Sequence, residues 1–235
     1  WNVPDFAHIP LIHGPDGSKL SKRHGATSVI EYKEMGYLPE AMRNYLLRLG
    51  WSHGDAEIIS DAQAIEWFDL DRVGKSPARF DFTKLRSVNK HYIKEKSEEE
   101  LLKIVGKSGE KMLRAVKFIK ERAELLTDLT KNLEVYCDGF AADLGTPEKK
   151  LIAEKQLLLL ELQKLFTDLN DWSHAGIKNS LNEFAAVRGL KIKDFGLLLR
   201  IVLTYSSASP GGIFDVIEIL GKDKVIRRLE PAILS

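Results

Sequence analysis

The chain has 235 residues, 35 basic and 34 acidic, giving a formal charge of +1, and a hydrophobic share of 44% that supports a sizeable core in one large domain or a few small ones. The near-neutral balance excludes a globally basic nucleic-acid binder, so any such surface must come from local clustering. One cysteine, Cys137, excludes an intramolecular disulfide and suits a reducing compartment, and no apolar run approaches the roughly 20 residues of a membrane span.

In chain order, WNVPDFAHIP has extended character and is neither basic nor followed by an apolar core, so it does not read as a secretory leader. Turn residues Gly14, Pro15, Asp16 and Gly17 end that stretch. Thr27 and Ser28 are placed to cap a short helix through Tyr32, because a hydroxyl there accepts from a free N–H of the first turn. Pro39 suits a first helical turn, Ala41, Met42, Tyr45, Leu46 and Leu49 recur at helical spacing, and Gly50 suits the position past the end. Ser60 and Asp61 open another helix, predicted through Phe68. Met112, Val116, Ile119, Ala123, Leu126 and Leu133 predict one face of a long helix, and Leu151, Leu158, Leu162, Leu165, Leu169 and Trp172 predict the face of another. Between them GFAADLGTPEKK, with Gly139, Gly145 and Pro147, is the best internal boundary. A further helix places Ile177, Leu181, Phe184 and Arg188 ahead of Gly189, and one more runs near Phe195 to Leu203. Thr204 to Gly212 reads as a loop, followed by short helices. The expected fold is all-α with at most a little sheet near the N-terminus, divided into 1–96, 97–146 and 147–235.

Three local features could carry chemistry. HGPDGSKLSKRHGA, His13 to Ala26, sets Lys19, Lys22 and Arg23 among Gly14, Gly17 and Gly25. Such a loop can hold a polyphosphate, since ammonium groups make charge-assisted contacts with phosphate oxygens. On composition alone a solvated surface turn is the commoner origin, and the P-loop spacing is absent because Ser18 follows Gly17. From Lys75 to Lys96, seven basic residues (Lys75, Arg79, Lys84, Arg86, Lys90, Lys94, Lys96) stand against two acidic ones (Asp81, Glu95), a surplus of five, with Phe80, Phe82 and Tyr92 interleaved. That stretch reads equally as a salt-sensitive phosphate-binding surface or as a solvated helix face. Arg200 with the loop after it offers a guanidinium, hydroxyls and a Ser-Pro-Gly turn, suited to unstacked bases or to capping a helix. The histidines do not suggest a metal centre: His8 and His13 lie five apart, His24 and His53 are isolated, and no cysteine pair accompanies them.

The string AHIPLIHGPDGSKLSKRHGATSVIEYKEMGYLPEAMRNYLLRLGWSHGD resembles the bacterial glutamyl-tRNA synthetase family, and KLSKR resembles the KMSKS signature of class I aminoacyl-tRNA synthetases. The likeness is strong from about Phe6 to Tyr92, moderate from about Ile177 to Leu229, and weak in the helical middle. The resemblance implies that Lys22, flanked by Lys19, contacts ATP phosphates during glutamyl-adenylate formation, within a nucleotide loop of Lys19, Leu20, Ser21, Lys22 and Arg23. Leu20 is expected to anchor that loop by burial. FDFTKLRSVNKHYI resembles a segment that contacts the inner corner of tRNA, making Lys84, Arg86, Asn89, Lys90 and His91 the expected contacts. Arg200, Ser209, Pro210 and Ile213 fall on positions matching the anticodon-reading end, with Arg122 as a further anticodon contact. The same resemblance implies ATP with magnesium as its counter-ion, glutamate and tRNA as partners, no membrane, a monomer and a cytoplasmic location. The alternatives are a helical tRNA-binding module without a catalytic role, or a relaxed synthetase that also charges the tRNA for glutamine. The other class I signature, His-Ile-Gly-His or close to it, is not among the His-Gly pairs at His13, His24 and His53. The sequence is therefore read as the C-terminal half of a longer enzyme, expected to lack aminoacylation activity by itself.

Overall fold

The computed structural model describes residues 1–4, 6–24, 28–207 and 211–234, with side chains as far as 230 at the C-terminal end. Among the described residues there are thirteen α-helices and one two-stranded sheet. They fall into two compact units, Trp1–Leu101 with Arg122–Leu129, and Leu102–Glu121 with Thr130–Ser235. No helix among the described residues is long and apolar enough to cross a membrane.

In the first unit, strand β1 (Ile12–His13) pairs in parallel with β2 (Ala78–Arg79), Ile12 opposite Ala78 and His13 opposite Arg79. Four helices build the rest: α1 (Val29–Met35), α2 (Pro39–Arg48), α3 (Asp61–Trp67) and α4 (Phe82–Glu95). Their starts follow local chemistry. Ser28 and Glu31 form a capping box on α1, Ser60 and Gln63 form one on α3, and the Asp81 carboxylate accepts from Thr83 N and Lys84 N at the start of α4. Pro39 opens α2 where its missing N–H costs nothing. Gly36 ends α1 with φ of 96°, and a Cβ there would lie 2.7 Å from Thr127 N, so both conformation and space require glycine. Tyr32, Tyr37, Met42, Tyr45, Phe80 and Leu85 form a buried cluster against which Ile12, Leu20 and Phe82 pack. Burial pushes the Tyr32 hydroxyl up to about 12.

The second unit is helical throughout: α6 (Glu110–Ile119), α8 (Thr146–Glu154), α9 (Gln156–Asp168), α10 (His174–Val187), α11 (Ile192–Thr204), α12 (Ile213–Leu220) and α13 (Lys222–Leu234). Two more helices, α5 (Glu98–Ile104) and α7 (Leu126–Glu134), have residues in both units. Helix α13 packs against α8, α9 and α11, while α12 packs against α6, α10 and α11. Fully buried Leu159, Leu162, Phe166, Leu181, Phe195 and Leu199 lie in this core, each worth about 1.5–3 kcal/mol of transfer free energy.

Two expected helices divide in the structure. The long helix over Met112–Leu133 is α6 and α7, separated at 120–125. The Asp128 carboxylate accepts from Glu124 N and Leu125 N, starting a new helix there, while Leu126 N donates to Gly36 O. The apolar face is the one the spacing predicts, with Val116, Ile119, Ala123 and Leu133 buried, but side-chain capping and a long-range bond override the 3.6-residue period. The helix over Leu151–Trp172 breaks at Lys155, whose φ of −114° and ψ of 20° separate α8 from α9. Its buried face is Ile152, Leu159, Leu162 and Phe166 rather than the expected leucines, of which Leu162 alone is fully buried. The run QLLLLELQKLF is apolar on nearly every side, so spacing does not single out one face. At the C-terminus α13 is longer than the short helices expected.

Candidate functional site

The cationic loop is a hairpin built from β1. His13 bridges Lys19, Leu20 N donates to Ile12 O at 2.9 Å, Gly14 N donates to Ser18 O at 2.7 Å, and Gly17 N closes the turn on Gly14 O at 3.0 Å. Gly17 has φ of 78°, the left-handed conformation this turn requires. Leu20 is half-buried against the aromatic cluster and fixes the hairpin to the unit, as expected of an anchor. Lys19 and Lys22 are exposed, and neither forms an ion pair among the described residues; Lys22, Arg23 and His24 form a single 3-10 turn. Ser21 is partly buried, its N–H 3.1 Å and its hydroxyl 3.2 Å from His24 Nδ1. Exposed Arg23 donates to Ser18 Oγ at 2.6 Å and lies 3.7 Å from Asp16. Hydrogen bonds from Ser18 N, then His24 and the Ser18 hydroxyl, hold the Asp16 carboxyl well below the usual carboxylate range.

The second group lies on α4. Leu85, Val88, Asn89 and Ile93 face the core, which turns Arg86, Lys90 and Lys94 outward or to the margin. Arg86 and Lys90 line an open polar groove of about 480 Å³ with Phe82, Thr83, Ser87 and Glu124. Exposed Arg86 hydrogen-bonds the Tyr37 hydroxyl, and the guanidinium partly offsets the rise that burial imposes on that tyrosine. Partners distant in sequence meet three of the cations: Lys84 donates to Glu57 at 3.0 Å, Lys90 lies 3.9 Å from Glu124, and Lys96 donates to Glu40 at 3.1 Å. The hydrogen bond from Lys84 and its charge lower the Glu57 carboxyl. His91 is half-buried beside the Tyr92 ring, 5.6 Å between centroids. Asn89 is a correction. It is fully buried, Oδ1 accepts from Leu38 N at 2.7 Å, and Nδ2 donates to Glu124 O at 2.6 Å and Gly36 O at 3.4 Å. Its amide is consumed in joining α1, α2 and the 122–125 turn, so it has nothing to offer an external ligand. Arg122 is exposed in that turn.

The third group lies after α11 in the second unit. Arg200 is half-buried and donates to Gly211 O at 3.1 Å, bridging the helix to the far end of the loop. Thr204 Oγ1 donates to Arg200 O at 2.8 Å, and Tyr205 ends the helix with φ of 54°. Ser209 and Pro210 lie outside the described residues. Ile213 is a second correction: it is 95% buried as the first residue of α12, so it supports the loop from the core side. Spacing gave no hint of Arg228. It is buried, donates to Leu203 O and to Val135 O, and lies under the Phe140 and Tyr205 rings. Desolvation lowers its guanidinium from the ordinary value. Asp16 and His24 were also missed as a pair, although both stand within the cationic string. Among the described residues no three His, Cys, Asp or Glu side chains are grouped as metal ligands.

A family model described as "Anticodon binding domain" matches residues 82–233, and one described as "tRNA synthetases class I (E and Q), catalytic domain" matches residues 1–87. "Glutamate--tRNA ligase 2" of Rhodospirillum centenum is 43% identical over 252 residues, covering 99% of this chain and 52% of its own length. "Glutamate--tRNA ligase 1" of Wolbachia pipientis is 44% identical over 239 residues, covering 98% of this chain and 50% of its own. The crystal structure of a glutamate tRNA ligase from Elizabethkingia meningosepticum, in complex with its amino acid, superposes with a TM-score of 0.84 at 30% identity, covering 100% of this chain and 52% of that one. The chain spans about half the length of the curated relatives it matches. Matched over more than half of its residues, and related along nearly all of them to glutamate–tRNA ligases, the chain belongs to the anticodon binding domain family.

Proposed function

We propose that this chain works as part of a glutamate–tRNA ligase, supplying the loop that holds ATP phosphates and the helices that hold tRNA. The observation that carries the reading is the hairpin at 12–24. Two exposed lysines stand on a loop tied by its own hydrogen bonds, in a chain with ligase relatives along its whole length. The Lys22 and Lys19 ammonium groups would meet the phosphates of ATP, and contacts that tighten as negative charge gathers on departing pyrophosphate lower the barrier to glutamyl-adenylate. Ser21 and Arg23 shape the loop, and Leu20 anchors it. Magnesium would arrive with the triphosphate as its counter-ion.

The tRNA side rests on Arg86, Lys90, Lys84 and His91 along α4 for the stem, and on Arg122, Arg200 and the 204–212 loop, including Ser209 and Pro210, for the anticodon. In this reading 1–96 carries the nucleotide loop and stem contacts, and 97–146 and 147–235 are the helical parts beyond. The ligase acts as a cytoplasmic monomer. Lys22→Ala, placed in the complete ligase that contains this chain, is expected to lower kcat for ATP–pyrophosphate exchange about a hundredfold or more. Unchanged exchange would leave a helical tRNA-binding module without a catalytic loop.

A further inference from the structure

The loop that presents Lys19 and Lys22 is tied around one imidazole. His24 has a side chain only 8% exposed, set so close under Gly14 that a Cβ there would lie 2.8 Å from the ring. Both ring nitrogens are engaged. Ser21 N donates to Nδ1 at 3.1 Å, and Nε2 lies 3.0 Å from Asp16 Oδ1 and 3.3 Å from Ser18 Oγ. A backbone N–H is always a donor, so Nδ1 must accept and Nε2 must carry the proton given to Asp16. The Asp16 carboxylate also accepts from Ser18 N at 2.9 Å and Ser18 Oγ at 2.8 Å, and Arg23 closes the ring of contacts on Ser18. Asp16 lies in the turn at the tip of the hairpin and Ser21 follows its returning arm, and His24 joins them.

We infer that Asp16 and His24 form a latch whose task is to hold the Ser18–Arg23 backbone in the geometry that aims Lys19 and Lys22 at a nucleoside triphosphate. This inference rests on the proposed role of the loop and adds two positioning residues to it. Neither touches the nucleotide; they act through Ser21 and Ser18. Two features support a positioning role over simple packing. Asp16 is 52% exposed, so it contributes little to a core, yet it takes contacts from three residues of the loop. His24 fills the space under a backbone position that has no side chain, the arrangement expected where a loop is shaped around a ring.

A lysine held slightly off line still binds ATP but fails to follow the charge as it moves to pyrophosphate, so the loss falls on kcat rather than KM. In the complete ligase, Asp16→Ala and His24→Ala are each expected to lower kcat for ATP–pyrophosphate exchange about 10- to 100-fold, with KM for ATP and Kd for tRNA little changed. Asp16→Asn, which keeps the acceptor oxygen, should retain more exchange than Asp16→Ala. The double variant should be no worse than His24→Ala alone, because both remove the same linkage. Asp16 is a surface residue, so its variants keep the test sound even if His24→Ala folds poorly. Wild-type kcat in Asp16→Ala and His24→Ala beside an inactive Lys22→Ala would overturn the latch and leave the loop's role standing. Wild-type exchange in Lys22→Ala as well would remove the role on which the latch depends.

Discussion

Single side chains divide here between holding the fold and facing outward, and burial sorts them. Asn89 sits midway along a basic helix, where sequence suggests a ligand contact. Its amide instead satisfies Leu38 N, Glu124 O and Gly36 O, between 35 and 53 positions away along the chain. Asn89→Leu should destabilise the first unit by at least about 2 kcal/mol, since orphaned buried backbone groups cost roughly 1–3 kcal/mol each. Urea unfolding checks this; RNA affinity under folding conditions should not change. The same reasoning covers Arg228, a buried cation that donates to two carbonyls and faces two aromatic rings. Arg228→Met should loosen the region around Tyr205 and raise amide exchange from Val202 to Tyr205.

At the scale of elements, several helix starts are decided by a capping side chain, as at Ser28, Ser60, Asp81 and Ser173, and several helix ends by cations placed from other helices. Lys224 on α13 donates to Tyr136 O and Cys137 O just beyond α7, and Lys111 on α6 donates to Leu220 O at the end of α12. Cations there oppose the negative end of the helix dipole. Lys111 is lowered from 10.5 to about 8, first by burial and then by the neighbouring Lys224 charge. Between about 8 and 10.5 the unfolded chain therefore holds a proton that the folded chain has released, so this group makes stability rise with pH across that window. Comparing urea midpoints of wild type and Lys111→Met across the window isolates the effect. The variant should lack that rise, and parallel curves would contradict the assignment.

Over the whole molecule, charge that looks concentrated in sequence is thinned in space. The surplus of five over 75–96 counts neighbours in the chain only. Glu57, Glu124 and Glu40 reach Lys84, Lys90 and Lys96 from elsewhere in the chain, so the surplus is smaller in space than in sequence. The tRNA-binding surface proposed for α4 is thus a small number of cations set among carboxylates, and its salt dependence should be shallow. Arg86→Ala should weaken tRNA binding about equally for all tRNA sequences and reduce the salt slope by about one, as removal of one phosphate contact does. Filter binding across a salt series checks this, and an unchanged slope would take Arg86 off the interface. An Arg200→Ala variant should instead alter discrimination between anticodons more than the salt slope.

What the sequence determined by itself is whatever neighbouring residues settle among themselves. Ser60 and Pro39 mark helix starts, Gly189 follows a helix end, the Val116–Ile119 face is apolar, and KLSKR stands on a glycine-flanked turn inside a family-like string. These depend on caps, periodicity and backbone freedom within a few positions. Tertiary structure decided the rest: the break at 120–125, the buried face of α9, the burial of Asn89 and Ile213, the carboxylates that meet Lys84, Lys90 and Lys96, and the imidazole that ties the cationic hairpin. Each of these turns on which group, distant in sequence or a few positions away around a turn, arrives within about 3–4 Å, and hydrogen bonds and ion pairs respond to that distance and not to separation along the chain.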